Sequence, residues 1–228
     1  MRKIFSAIPF LLFGLCTYSQ QLSQISFSGA ATLSSFGFLT DQNVLIRISE
    51  DGKVIEWGIE WKSERNNNYY APKLQPYMGR VGYYGSESDP VTKGKVKSIG
   101  TCVLTYYGSL ETETQRGKIK SIGTTGLDYY SNFENTAIKG KLRLAGNLAL
   151  EYYPSLENEA VRGKLKSVAN TPVTYYSTFD DKLIKGKIKS IGSVAYNWYT
   201  SLDRKELRGA LKSGSYRQNI NGVTYILR

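Results

Sequence analysis

The sequence predicts an all-β protein: an elongated antiparallel array of tandem 23-residue β-hairpin repeats, with an N-terminal and a C-terminal cap. A glycine recurs every 23 residues, a basic and aliphatic phrase surrounds it, and an aromatic pair follows twelve and thirteen residues after each of the first five glycines. Neighbouring units of such an array bury a common core, so a strict period of this length indicates the fold. The six glycines are Gly94, Gly117, Gly140, Gly163, Gly186 and Gly209.

The strands follow from the pattern inside one repeat, which we number from its glycine as position 0. Position 2 is aliphatic, position 10 is mostly aliphatic, and positions 12 and 13 are the aromatic pair. This alternation predicts two half-buried strands per repeat. We expect a three-residue turn at positions 7 to 9, which puts positions 2, 10 and 12 on one face and positions 1, 3 and 13 on the other. Position 5 is apolar yet points outward in this register, so the sequence predicts a β-bulge or a second covered face.

The connector between hairpins has its own pattern. Position 16 alternates leucine and phenylalanine, position 17 is always acidic, and the residue before each glycine alternates lysine and arginine. Two columns that alternate together imply a period of two repeats, or 46 residues. Either neighbouring repeats occupy two different environments, or the array grew by duplication of pairs; both interpretations stay open.

The first residues have the features of a signal peptide, predicted over 1–19. Arg2 and Lys3 form a charged start, residues 4–15 are mostly apolar, and Ser19 is a small residue at the expected cleavage site. We therefore expect an exported protein, which is periplasmic, exposed at the cell surface or secreted. The apolar run is too short for a permanent membrane-spanning helix, and we expect no such helix.

The remaining chain divides into three predicted parts. Residues 20–70 form an N-terminal β cap, with a hairpin over 44–61 around an Asp-Gly turn. Residues 71–215 form the repeat array. Residues 216–228 form a C-terminal capping strand, centred on 223–227, because the ends of an array must close an apolar edge.

The composition argues against catalysis and against metal or cofactor binding. The chain has no histidine, the commonest general base and metal ligand. Of its two cysteines, only Cys102 remains after the signal peptide, at a turn position where we expect an inert small residue and no disulfide. The repeated carboxylates at position 17 share one environment, whereas acid–base catalysis needs unequal ones. We expect no enzyme, no cofactor and no metal site.

The charge favours anionic partners. The formal charge is +11, of which Arg2 and Lys3 contribute two, leaving +9. Such a balance suits an anionic polysaccharide, a lipid headgroup or another envelope protein, and export argues against nucleic acid. The candidate basic residues at positions 1 and 3 are Lys95, Lys97, Lys118, Lys120, Lys141, Arg143, Lys164, Lys166, Lys187 and Lys189. The candidate tyrosines at position 13 are Tyr107, Tyr130, Tyr153, Tyr176 and Tyr199.

Each set of candidate residues has a second interpretation. The lysines are also what keeps a long sheet soluble, and the tyrosines also suit cross-strand packing beside the lysine at position 3. We predict a non-catalytic exported protein that binds an anionic envelope or extracellular component through the Lys/Tyr-lined face. The alternatives are a structural spacer or protein–protein scaffold and, third, a small outer-membrane β-barrel.

From Gly94 to Tyr199 the 23-residue unit, with its glycines, lysines and Tyr-Tyr pair, resembles MORN-type β-hairpin repeats. It is also similar to repeat proteins that bacteria secrete. The MORN resemblance covers about half of the chain. It implies an elongated, single-layer antiparallel sheet that contacts membrane lipids or other proteins.

Overall fold

A computed structural model of the protein describes residues 20–60 and 73–228. The predicted signal peptide at 1–19 and the predicted boundary between 70 and 71 lie outside these residues. The described residues form strands and turns without any helix, so the predicted all-β class is confirmed. Within them, then, no helix is long and apolar enough to cross a membrane.

The described residues form 19 strands. In chain order they are β1 (Gln21–Ser28), β2 (Thr32–Leu39), β3 (Val44–Ile48), β4 (Val54–Ile59), β5 (Val81–Tyr83), β6 (Val96–Ile99), β7 (Cys102–Tyr106), β8 (Ile119–Ile122), β9 (Thr125–Tyr129), β10 (Leu142–Ala145), β11 (Leu148–Tyr152), β12 (Leu165–Val168), β13 (Thr171–Tyr175), β14 (Ile188–Ile191), β15 (Val194–Ala195), β16 (Asn197–Trp198), β17 (Leu211–Ser213), β18 (Arg217–Ile220) and β19 (Val223–Leu227).

The two ends of the described chain share one six-stranded sheet, in the order β18-β19-β1-β2-β3-β4. The predicted hairpin around the Asp-Gly turn is confirmed, since β3 and β4 pair antiparallel. The predicted strand at 223–227 is present as β19. It pairs in parallel with β1, so it completes the N-terminal sheet and does not extend the repeats.

The repeats form an eleven-stranded antiparallel sheet from β5 to β15, and β16 and β17 pair beside it. The predicted three-residue turn is wrong. In the first hairpin Ile99 pairs with Cys102, so only Gly100 and Thr101 form the turn. Gly100 has a φ of 58°, the left-handed conformation that a two-residue hairpin turn requires. Cys102 therefore begins a strand instead of lying in the turn.

A β-bulge explains the apolar residue at position 5. Tyr83 pairs with Val96 and Gly82 with Ser98, which leaves Lys97 as an extra residue in its strand. The same shift recurs in the following repeats. Because of the extra residue, positions 2 and 5 both point to the buried face, as at Val96 and Ile99. The predicted bulge is confirmed.

The core lies between the two sheets. Phe27, Phe36 and Ile46 of the six-stranded sheet belong to one buried cluster with Ile119 and Leu150 of the repeats. Backbone bonds also join the layers: the Leu142 amide donates to the Glu50 carbonyl at 2.7 Å, and the Ile188 amide donates to the Ala30 carbonyl at 2.8 Å. The repeat sheet thus has a second layer, unlike the single-layer sheet that the resemblance implies, because its apolar face must be buried.

Candidate binding surfaces

The candidate lysines at position 1 connect one repeat to the next. The Nζ of Lys164 donates to the Gly186 carbonyl at 2.5 Å and lies 5.0 Å from the ring centroid of Tyr175. Burial lowers the pKa of Lys164. The same contact with the next position-0 glycine is made by Lys95 to Gly117, Lys118 to Gly140, Lys141 to Gly163 and Lys187 to Gly209. The ammonium groups at position 1 are therefore used inside the array.

The backbone conformation accounts for the glycine period, because all six position-0 glycines have a φ between 72° and 76°. Gly186 has a φ of 75°, in the left-handed region that favours glycine. A Cβ added at Gly186 would lie 2.9 Å from the Nζ of Lys164, closer than real side chains allow. At Gly186 a larger residue would displace the lysine as well as strain the backbone, whereas at Gly94 and Gly209 it would only strain the backbone.

The aromatic residue at position 12 is buried in four repeats and partly buried at Tyr106, and it binds within its own repeat. The Tyr175 hydroxyl donates to the Leu165 carbonyl at 2.9 Å. In the last full repeat Trp198 replaces tyrosine, and its Nε1 donates to the equivalent Ile188 carbonyl at 2.8 Å. Tyr152 is the exception, because its buried hydroxyl has no hydrogen-bond partner among the described residues. Burial raises the pKa of both tyrosines well above the usual value.

The candidate tyrosines at position 13 join neighbouring repeats. The Tyr107 hydroxyl donates to the Leu127 carbonyl at 2.9 Å, and its ring meets the Tyr129 ring edge-on at 6.2 Å. Equivalent bonds to position 10 of the next repeat are made by Tyr84 to Leu104, Tyr130 to Leu150, Tyr153 to Val173 and Tyr176 to Tyr196. Tyr199, which no full repeat follows, lies with its ring centroid 5.4 Å from the Nζ of Lys212. These hydroxyls hold the register between repeats.

The basic residues at position 3 lie on the outer face and are exposed: Lys97, Lys120, Arg143, Lys166, Lys189 and, beyond the predicted set, Lys212. We call these six residues the basic row. The Nζ of Lys120 lies 5.6 Å from the ring centroid of Tyr107, and that of Lys189 lies 5.7 Å from that of Tyr176. Positions 3 and 13 are therefore neighbours, but the lysine belongs to the repeat after that of the tyrosine and not, as the predicted register has it, to the same hairpin.

The connectors carry a surface that the sequence did not reveal as a site. The leucine or phenylalanine at position 16 is 93 to 100 % exposed in five successive repeats. We call these five side chains the apolar row: Leu110, Phe133, Leu156, Phe179 and Leu202. The alternation of Leu and Phe was visible in the sequence, but exposure was not, because apolar residues at a fixed period usually mark the core.

A cavity of about 360 Å³ opens at one end of the space between the sheets. Trp57, Tyr106 and Lys95 line it. Sequence reasoning missed Trp57 and Tyr106. The one signal available in the sequence was the position of Tyr106 in the first full repeat.

The remaining candidates for a chemical site are the Cys102 thiol and clusters of metal-ligating side chains. Burial raises the pKa of the Cys102 thiol to about 11, so the reactive thiolate is scarce at neutral pH. Over residues 20–60 and 73–228, no three His, Cys, Asp or Glu side chains come together as a metal site would need.

Comparison of the chain with protein-family models, with curated proteins and with solved structures finds no match.

Proposed function

We propose that this is a non-catalytic exported protein that binds an anionic polymer, an envelope or extracellular glycan, along the basic row. The observation that carries the proposal is one exposed cation per repeat on the outer face. Two strands per repeat separate successive cations by about 10 Å. A regular line of positive charge suits a ligand whose negative charges also repeat.

The surroundings of the basic row support polymer binding. Among the described residues, only Arg143 and Lys212 of the row have a carboxylate within 4.0 Å. The remaining lysines keep their charge available to a ligand. Hydroxyl pairs lie between them on the same face, as at Thr105 and Ser121, whose oxygens are 2.6 Å apart. Such hydroxyls can donate to or accept from sugar groups.

The roles of the candidate residues differ in this proposal. Position-3 cations contact the ligand. Position-13 rings support those cations, each exposed cation–π contact contributing about 0.5–1 kcal/mol. Position-1 lysines and the tyrosine hydroxyls hold the array together, because their polar atoms already bind carbonyls of the next repeat.

The proposal predicts salt-sensitive binding to dextran sulfate and none to neutral dextran. A row variant replaces by glutamine four lysines that have no carboxylate within 4.0 Å among the described residues: Lys97, Lys120, Lys166 and Lys189. A control variant of equal net charge replaces four exposed lysines elsewhere: Lys53, Lys73, Lys185 and Lys205. We expect the row variant to bind at least about 10-fold more weakly and with a shallower salt dependence, and the control to stay close to the wild type.

Equal losses in both variants would contradict a specific row, since net charge alone would then explain binding. Vesicles with and without an anionic phospholipid form a second arm. Binding to those vesicles without binding to dextran sulfate would assign the row to lipid headgroups instead of a glycan.

The scaffold alternative is favoured by one observation: most of the candidate lysine and tyrosine polar atoms are used inside the array. It predicts that the row variant retains full biological activity. Loss of dextran sulfate binding without loss of activity would support the scaffold.

A further inference from the structure

We infer that a second copy of this chain docks on the apolar row and forms a homodimer in which the two rows interleave. The inference does not depend on the basic row or on the proposed glycan. It rests on the exposure, spacing and charge of the connectors.

The side chains of the apolar row are far more exposed than leucine and phenylalanine side chains usually are. Leu110 and Phe133 are 100 % exposed, and Leu202, the least exposed of the five, is 93 % exposed. Single exposed apolar side chains are ordinary, but a regular line of them marks an interaction surface. No intrachain packing explains why each of these five connectors carries one.

The connectors present these side chains on a fixed frame. Position 18 of one connector bonds to position 15 of the next: the Asn158 Oδ1 accepts from the Thr178 amide at 3.1 Å, and its Nδ2 donates to the Thr178 Oγ1 at 2.8 Å. Asp181 accepts from the Ser201 amide at 3.1 Å in the next pair. Because Asn135 bonds to Ser155 in the same way, these bonds tie together the four connectors that carry Phe133, Leu156, Phe179 and Leu202, and this part of the apolar row has the spacing of the repeats.

That spacing makes the row complementary to itself. Successive tips are about 10 Å apart, since each repeat contributes two strands to the sheet. After the width of the side chains is subtracted, each gap accepts one side chain from an opposing row shifted by half a repeat. The Leu/Phe alternation also makes every gap equivalent, because each is bounded by one leucine and one phenylalanine.

The charge of the connectors permits two copies to meet. Positions 14 to 22 of the five connectors carry nine carboxylates and eight cations, a net charge of −1, whereas the chain from residue 20 onward carries +9. Two connector edges therefore approach without the repulsion that other faces would meet. A surface without excess positive charge also gives no attraction to anionic lipid or glycan, which favours a second copy as the occupant.

The area is adequate for a dimer. Five large apolar side chains offer on the order of 700 Å² per copy, close to the roughly 800 Å² per partner of a standard stable interface. The carboxylates at position 17 stay at the rim of such an interface, where water and the neighbouring basic residues remain accessible.

Sedimentation velocity over a dilution series tests the inference. The test variant carries Phe133→Ser and Phe179→Ser, and the control carries Met78→Ser, which removes a side chain that is 92 % exposed outside the apolar row. We expect the wild type and the control to dimerise, and the double variant to dimerise at least about 100-fold more weakly, from the usual cost of exposing two large apolar side chains. Circular dichroism checks that the variants fold, as expected for side chains without intrachain packing.

Three outcomes would overturn the inference. One is a wild type that stays monomeric up to about 100 µM, where even a weak specific dimer forms. Another is a dimer that the double substitution leaves unchanged. The third is a monomer that binds zwitterionic phosphatidylcholine vesicles and loses this binding in the double variant, which would assign the apolar row to a lipid surface. None of these changes dextran sulfate binding, so a failure here is distinct from failure of the proposed function.

Discussion

Two buried tyrosines at position 12 differ in one hydrogen bond and offer a controlled test of what stabilises the array. Tyr175 and Tyr152 are 7 % and 4 % exposed, and each packs edge-on against a tyrosine of the preceding repeat, at 6.1 Å and 6.0 Å between ring centroids. A lysine Nζ lies 5.0 Å from the ring centroid of Tyr175 and 5.2 Å from that of Tyr152. Only Tyr175 donates its hydroxyl to a carbonyl, that of Leu165.

Replacement by phenylalanine should therefore have unequal effects. Tyr175→Phe removes a buried bond and leaves the Leu165 carbonyl without it, which costs about 1–2 kcal/mol of unfolding free energy. Tyr152→Phe removes a buried hydroxyl without a partner among the described residues, so we expect no loss, or a gain of up to about 1 kcal/mol. The rings and their contacts remain in both variants.

Urea unfolding followed by circular dichroism measures the difference. For a domain of this size, 1 kcal/mol corresponds to about 2–4 °C in Tm, so thermal scans resolve it as well. The urea m-value should stay constant, because neither change alters the surface exposed on unfolding. If Tyr152→Phe destabilises as much as Tyr175→Phe, ring packing or an unseen hydroxyl contact is responsible, and the hydrogen-bond argument fails.

Three further predictions concern the turn, the alkaline limit and the thiol. Ala169 has a φ of 47° at position 6, where four other repeats have glycine. Because glycine adopts this left-handed conformation without strain, Ala169→Gly should raise the unfolding free energy by up to about 1 kcal/mol. A lower Tm would contradict this. Burial raises the pKa of Tyr106 to about 12, so its contribution to stability should be complete below about pH 10 and decline between pH 10 and 12, as measured by urea titrations. The lowered pKa of Lys164 has the opposite effect, since its contribution rises with pH, and it does so only below about pH 10.5. Cys102 is 2 % exposed and should react with a thiol reagent only on unfolding, so rapid labelling of the native protein would refute its burial.

The sequence predicted the hairpins and offered a bulge as one of two explanations for position 5, but it did not predict the turn length. The apolar column at position 5, as at Ile99, conflicted with strict alternation, and a bulge resolves that conflict. The turn was misplaced because the glycine at position 6 fits a strand pattern and a turn equally well. Its positive φ, as at Gly100, is visible only in the structure.

The covering layer could not be predicted from the repeats. Residues 20–60 lack the period, and the parallel pairing of Ile25 with Tyr225 joins segments about as far apart as the chain allows. Local patterns contain no signal for such a contact. The lysine columns were also indistinguishable in sequence, although Lys95 immediately precedes its strand and reaches the next repeat, while Lys97 projects outward.

A residue that recurs in every repeat has one of two physical reasons to do so. It contacts the neighbouring repeat, which is itself periodic, or it contacts something periodic outside the chain. Positions 0, 1 and 13 have the first reason, since their partners lie one repeat away. The cations at position 3 have this reason only in part, since Lys97, Lys120, Lys189 and Lys212 lie over position-13 rings while their side chains stay exposed. The fully exposed side chains at position 16 have no packing within the described residues that would require a large apolar group in every unit. Folding therefore leaves the period at position 16 unexplained and explains the period at position 3 only through exposed cation–π contacts, which directs the search for function to these two surfaces.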